Sequence, residues 1–123
     1  MKIGITGSLS SGKSSVAKIL SKNKKALFSA DKEVKNLYLK NYFRKKLIKK
    51  FKIKKRNIKK EIKSKILNEE INLKELGKII HPLVRKKMRE FSKKNKNKKT
   101  LLFEIPLLIE SKLVDYFDFI ILV

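Results

Sequence analysis

The sequence contains no cysteine, which excludes disulfides, a thiolate metal site and a cysteine nucleophile. It has no apolar run near the roughly 18 residues that a membrane-spanning helix requires. The opening "MKIGITG" does not read as a secretory leader, and cleavage just behind it would destroy a glycine motif, so the expected location is cytoplasmic. Alanine is scarce, at positions 17, 26 and 30, and arginine occurs only at 44, 56, 85 and 89. Acidic residues number 11 against 34 basic ones.

The resulting net charge of +23 invites a nucleic-acid reading, because clustered cations neutralise phosphates and release counterions. All but four of the basic residues are lysine, however. Nucleic-acid readers usually rely on arginine for bidentate contacts and interleave aromatic rings. Abundant lysine, isoleucine and asparagine with little alanine is the skew that A/T-rich coding produces, with the lysines spread over solvated faces. Neither a nucleic-acid nor a membrane partner is therefore expected.

A length of 123 residues suits one domain with a real core. "KIGIT" (2–6) is β-branched and bounded by Gly7, which predicts a short buried strand. Residues 14–21 carry Val16, Ala17, Ile19 and Leu20 and suit a helix; "ALFS" (26–29) supplies a second strand. Asp31 then stands where an N-cap would, with Val34, Leu37 and Tyr38 at helical spacing behind it. Strand, helix and strand in this order imply a right-handed parallel unit.

From 40 to 99 the apolar residues recur at helical spacing among lysines, which predicts a helical insertion. Its expected turn is "NEEINL" (68–73), with Asn72 as a following N-cap, and Pro82 should break or begin a helix. "KKNKNKK" (93–99) reads as a polar loop. "TLLFEI" (100–105), stopped by Pro106, and "FDFIILV" (117–123) are near-continuous apolar runs, as expected of parallel strands covered on both faces.

Between the first strand and the first helix, Gly7, Ser8, Leu9, Ser10, Ser11, Gly12, Lys13 and Ser14 satisfy G-x-x-x-x-G-K-[ST] in full, followed by Ser15. The two glycines permit conformations that a Cβ would penalise, so that successive N–H groups turn toward one centre. The helix dipole points at the same place, Lys13 would reach the β- and γ-phosphates, and the Ser14 hydroxyl would ligate Mg²⁺. A nucleotide-binding loop over residues 7–15 is expected; the motif alone does not separate kinases from GTPases or motor ATPases. Asp31, behind the second strand, has two readings: a general base facing the γ-phosphate, or an N-cap aspartate.

"IGITGSLSSGKSSVAKIL" followed by "ALFSAD" resembles the opening of the dephospho-coenzyme A kinase family, in which a P-loop precedes a strand ending in D-A-D. "IIHPLVRKKM" (79–88) is similar to that family's H-P-x-[VI]-R segment, and "EIPLLIES" (104–111) to its P-L-L-[FVI]-E segment. The three stand in the family's order, and the resemblance covers the whole chain. It implies an α/β fold, a P-loop kinase-type parallel sheet with helices on both faces and a helical acceptor-binding insertion at about 40–99. It also implies transfer of a phosphoryl group from ATP, with Mg²⁺, to the ribose 3′-hydroxyl of dephospho-CoA.

On the resemblance, Asp31 and Lys13 would be catalytic, Asp31 as the base. His81 and Arg85 would lie near the acceptor's phosphate or ribose, and Pro106, Leu107, Leu108 and Glu110 would shape its pocket. Ser29 replaces the first aspartate of D-A-D, which weakens a second-carboxylate role in metal binding. Ser15 replaces a common threonine, and Glu104 stands where many members carry an aspartate with a water-mediated metal role. The family continues past this point with arginine-bearing lid helices. The expectation is therefore a single P-loop kinase domain over 1–123, C-terminally incomplete and inactive alone. Another small-molecule P-loop kinase and a basic P-loop nucleic-acid-binding protein remain as alternatives.

Overall fold

The computed structural model describes residues 1–7, 12–21, 26–54, 57–106 and 113–123, with Ser14 and Ser21 described by their backbone only. Strand β1 (Lys2–Gly7) leads to helix α1 (Lys13–Ser21), then β2 (Ala26–Ser29) and α2 (Ala30–Leu37). Three helices follow, α3 (Asn41–Phe51), α4 (Ile58–Leu67) and α5 (Leu73–Lys94), before β3 (Leu101–Pro106) and β4 (Phe119–Leu122). The sheet is parallel throughout, in the order β2-β3-β1-β4.

Strand alternation divides the sheet's side chains between two cores. Ile5 of β1 and Leu102 of β3 pack with Ala17 of α1 on one face. Leu101, Phe103 and Ile105 face the other way, against Ala30 of α2, Val84 and Met88 of α5, and Leu113. Helices thus cover both faces, as the apolar runs required. The chain moves from β1 to β2 in one direction and back to β3 in the other, and the covering helices change face accordingly, as a constant crossover hand demands.

The second face is built around aromatic rings. Phe103 lies 5.6 Å or less from the centroids of Phe91, Tyr116 and Phe117, and 5.9 Å from Phe28. Gly4 belongs to this packing: a Cβ there would stand 3.0 Å from the Phe117 ring, so glycine lets β1 pass Phe117 without displacing that ring. A separate apolar cluster holds the helical region together, with Phe43 and Leu47 of α3, Ile58 and Ile62 of α4, and Leu76 and Ile79 of α5.

Four expectations are corrected. The cap of α2 is Ser29, whose hydroxyl accepts from the Lys32 N–H at 3.4 Å; Asp31 lies one step inside, in the first turn. Pro82 neither breaks nor begins a helix, because α5 runs through it for 22 residues. Leu76 and Ile79 before it and Val84 and Met88 after it are all buried, and that packing outweighs the hydrogen bond lost at proline. The last run is not covered on both faces: β4 begins at Phe119 and has β1 as its neighbour at one sheet edge, leaving Phe119, Ile120 and Leu122 exposed. The polar segment also begins later than expected, since α5 extends to Lys94.

Candidate active site at the carboxyl edge of the sheet

In parallel α/β sheets ligands bind beyond the carboxyl ends of the strands, where neighbouring strands send their connections in opposite directions. Here that point lies between β1 and β3. The chain leaving β1 crosses toward β2, and the chain leaving β3 crosses toward β4. Gly7, the last residue of β1, pairs with Pro106, the last residue of β3, so both strands end level at this crevice.

Gly12 has φ +85, a conformation that disfavours any residue with a Cβ, and its carbonyl accepts from the Val16 N–H at 3.0 Å. It therefore turns the chain directly into α1, which starts at Lys13. The first-turn N–H groups of α1 and its positive dipole end lie at the crevice, which suits a polyphosphate. Lys13 is buried, and among the described residues it forms no salt bridge. A buried lysine at the start of a helix suits an anionic ligand. Ser15, in the same turn, is exposed. Ser8, Leu9, Ser10 and Ser11 lie outside the described residues, as does the Ser14 side chain.

Asp31 is exposed in the first turn of α2, two residues beyond the end of β2. Ser29 is level with Glu104 of β3, so α2 starts near the carboxyl end of β3. One strand, β3, intervenes between β2 and β1, a separation of about 10 Å at the usual strand spacing.

His81 and Arg85 are half-buried and lie one turn apart on the same face of α5. Val84 beside them packs in one cluster with Ala30, the first residue of α2 after β2, and with Ile105, near the carboxyl end of β3. Farther along α5, Phe91 stacks on Phe28 and Phe103 in mid-sheet. Running back from Phe91 to Val84 spans about 10 Å of helix, and Phe103 to Pro106 spans about the same along β3. The His81–Arg85 turn consequently emerges at the carboxyl edge, on the α2 side. Leu107, Leu108 and Glu110 lie outside the described residues; Pro106 is half-buried.

Glu104 is buried, on the α1 face of β3 by alternation with Leu102. Among the described residues no group of three or more His, Asp or Glu could hold a metal ion by itself. Mg²⁺ needs no such cage, since it keeps waters and binds through one or two protein oxygens together with phosphates. The buried Glu104 carboxylate is a hard oxygen donor of the kind that fits it. Ser29 completes the departure noted from the sequence: its hydroxyl is engaged as the cap of α2.

Two features lie apart from the crevice. Tyr38 meets Phe43 edge-on at 5.2 Å in the helical cluster, and burial pushes its phenol above the ordinary value of 10.0. An open cleft of about 420 Å³ lies between α2 and α5, lined by Glu33, Asn36, Leu37, Leu39, Lys40 and Lys87. It includes no residue of α1 and is not the phosphate site. The sequence singled out Ser29 and Glu104 only through the family resemblance; that Ser29 caps α2 and that Glu104 is buried are added by the structure. The first was legible as a serine closing an apolar strand, the second only as a charge inside "LLFEI".

A strand, a left-handed glycine, a buried lysine at a helix start and an acid across the switch point define a P-loop nucleotide-binding α/β protein. The family model described as CoaE, dephospho-CoA kinase, matches residues 1–123. The chain belongs to the dephospho-CoA kinase family. The dephospho-CoA kinase of Rickettsia typhi is 38% identical over 121 residues, covering 98% of this chain and 63% of that protein. That of Fusobacterium nucleatum is 36% identical over 128 residues, covering 100% of this chain and 66% of the relative. The crystal structure of TT1252 from Thermus thermophilus is 27% identical with a TM-score of 0.66, covering all of this chain and 64% of that one. The chain therefore spans a little under two thirds of the length of these relatives.

Proposed function

We propose that this chain takes part in ATP-dependent phosphorylation of the ribose 3′-hydroxyl of dephospho-CoA, giving coenzyme A in the cytoplasm. The observation that supports the reading is the buried Lys13 that opens α1 directly behind the left-handed Gly12, in a chain of this family. The N–H groups at the start of α1 hold the β- and γ-phosphates of ATP, and Lys13 offsets their charge as it shifts toward the leaving oxygen. Ser14, with Glu104 as a further oxygen donor, would hold Mg²⁺, which would supply charge that neutralises the phosphates. Asp31 accepts the proton of the acceptor hydroxyl as its oxygen bonds to the γ-phosphorus. The bond to the β-phosphate oxygen breaks and ADP leaves.

His81 and Arg85, on the α2 side of the crevice, contact the phosphate or ribose of the acceptor. Pro106, Leu107, Leu108 and Glu110 shape the pocket beside them, and the helical region at 40–99 covers the rest of the acceptor. Transfer from γ-labelled ATP to a panel of acceptors tests this, using the chain together with any sequence that adjoins it in its gene. Label is expected on dephospho-CoA and not on nucleoside monophosphates or shikimate. Label on a nucleoside monophosphate with none on dephospho-CoA overturns the reading.

A further inference from the structure

Glycine is a poor residue for a helix interior, yet Gly77 sits buried in the second turn of α5. Its φ is not positive, so the backbone does not require glycine there. No turn or cap lies nearby, since the helix begins at Leu73 and continues to Lys94. What occupies the space is His81, one turn later. A Cβ on Gly77 would stand 3.0 Å from Cε1 of the imidazole, 3.4 Å from Nε2 and 3.5 Å from Nδ1. Ordinary carbon–carbon contact is about 3.5–4.0 Å. The imidazole therefore lies back along the helix over Gly77, in a position that even alanine would crowd.

We propose that Gly77 is a positioning residue that seats the His81 imidazole against α5 and thereby sets its direction toward the acceptor. This rests on the reading of His81 as an acceptor-side residue. Side chains on a helix lean toward its N-terminus, so the turn preceding His81 is the surface its ring covers. The ring is planar and rigid, and its seat fixes where both nitrogens point. A Cβ at 77 pushes against the ring edge that carries Cε1, between the two nitrogens, and the ring must give by a few tenths of an ångström. Displacements well below 1 Å at a binding group are enough to weaken the interaction it makes.

The test exploits two properties of the molecule. His81 is its single histidine, so a chain labelled with ¹³C in its histidine ring gives one Cε1–Hε1 signal. Alanine is also the better helix former, so Gly77→Ala should not lower stability if the ring simply moves aside. Gly77→Ala is expected to shift the His81 signal without any ligand and to leave the melting temperature equal or higher. Dephospho-CoA affinity should fall by about 3- to 10-fold, the size of one lost hydrogen bond, with ATP affinity unchanged. In a His81→Ala background, Gly77→Ala should leave dephospho-CoA affinity alone.

An unmoved His81 signal overturns the inference, as does an affinity loss that persists without His81 or follows a fall in melting temperature. If dephospho-CoA fails to perturb the His81 signal of the unsubstituted chain, the acceptor reading falls. The ligand-free shift caused by Gly77→Ala still decides whether the glycine seats the ring.

Discussion

Asp31 is exposed in the first turn of α2, and Ser29 in front of it provides the capping oxygen. Replacing Asp31 with asparagine therefore leaves the cap in place and removes only a charge from the helix start, a small effect on stability. Its effect on turnover should be large. Asp31→Asn is expected to lower phosphoryl transfer about 10²–10⁴-fold, the range for loss of a general base, with ATP affinity near normal. Steady-state kinetics with parallel nucleotide titration check this; a loss of stability with unchanged turnover would make Asp31 a helix-start residue and nothing more. The acid was visible in the sequence, but its place in the turn was not. Ser and Asp are both strong caps, and only the end of β2 at Ser29 decides between them. The glycine–lysine pair at 12 and 13 was more legible, because that pair between an apolar strand and an amphipathic helix suits little besides a phosphate-binding turn.

Helix α5 joins the parts of the molecule. Its first turns pack in the helical cluster through Leu76 and Ile79, and its later turns pack on the sheet through Val84 and Met88. Pro82 falls between the two sets. It carries no N–H for the Lys78 carbonyl one turn earlier, and its ring crowds that carbonyl. Pro82→Ala should therefore raise stability by about 1–3 kcal/mol, the helix penalty reduced by the entropy that proline removes from the unfolded chain. A urea denaturation midpoint that stays the same or falls would mean that the proline is not strained. The sequence marked a boundary here because local propensity is all that a short stretch reveals. Burial on both sides of Pro82 overrode it, and burial belongs to the tertiary fold. The strands were easier, since "KIGIT" and "LLFEI" are apolar runs that fit little else. The edge position of β4 was not legible, because strand order is set by pairing between distant segments.

At the scale of the molecule, lysines dominate the exposed surface while the buried charges gather near one crevice. Lys13 and Glu104 are the two buried charged side chains among the described residues, one opening α1 and the other on β3 facing it. Charge spread over solvated faces says little about function, whereas charge taken out of water must have a partner or a task. The family match over residues 1–123 names the task for the relatives, and Lys13 and Asp31 are the residues proposed to carry it out here. Lys13 is the sharper probe, because it starts a helix whose stability comes from Ala17 and Val16 farther along. The most direct test compares Lys13→Ala with the unsubstituted protein, each together with any sequence that adjoins the chain in its gene. Label transfer from γ-labelled ATP to dephospho-CoA is followed, and circular dichroism monitors the fold. The account predicts an unchanged spectrum and transfer reduced to background. Full transfer by the Lys13→Ala protein would contradict it.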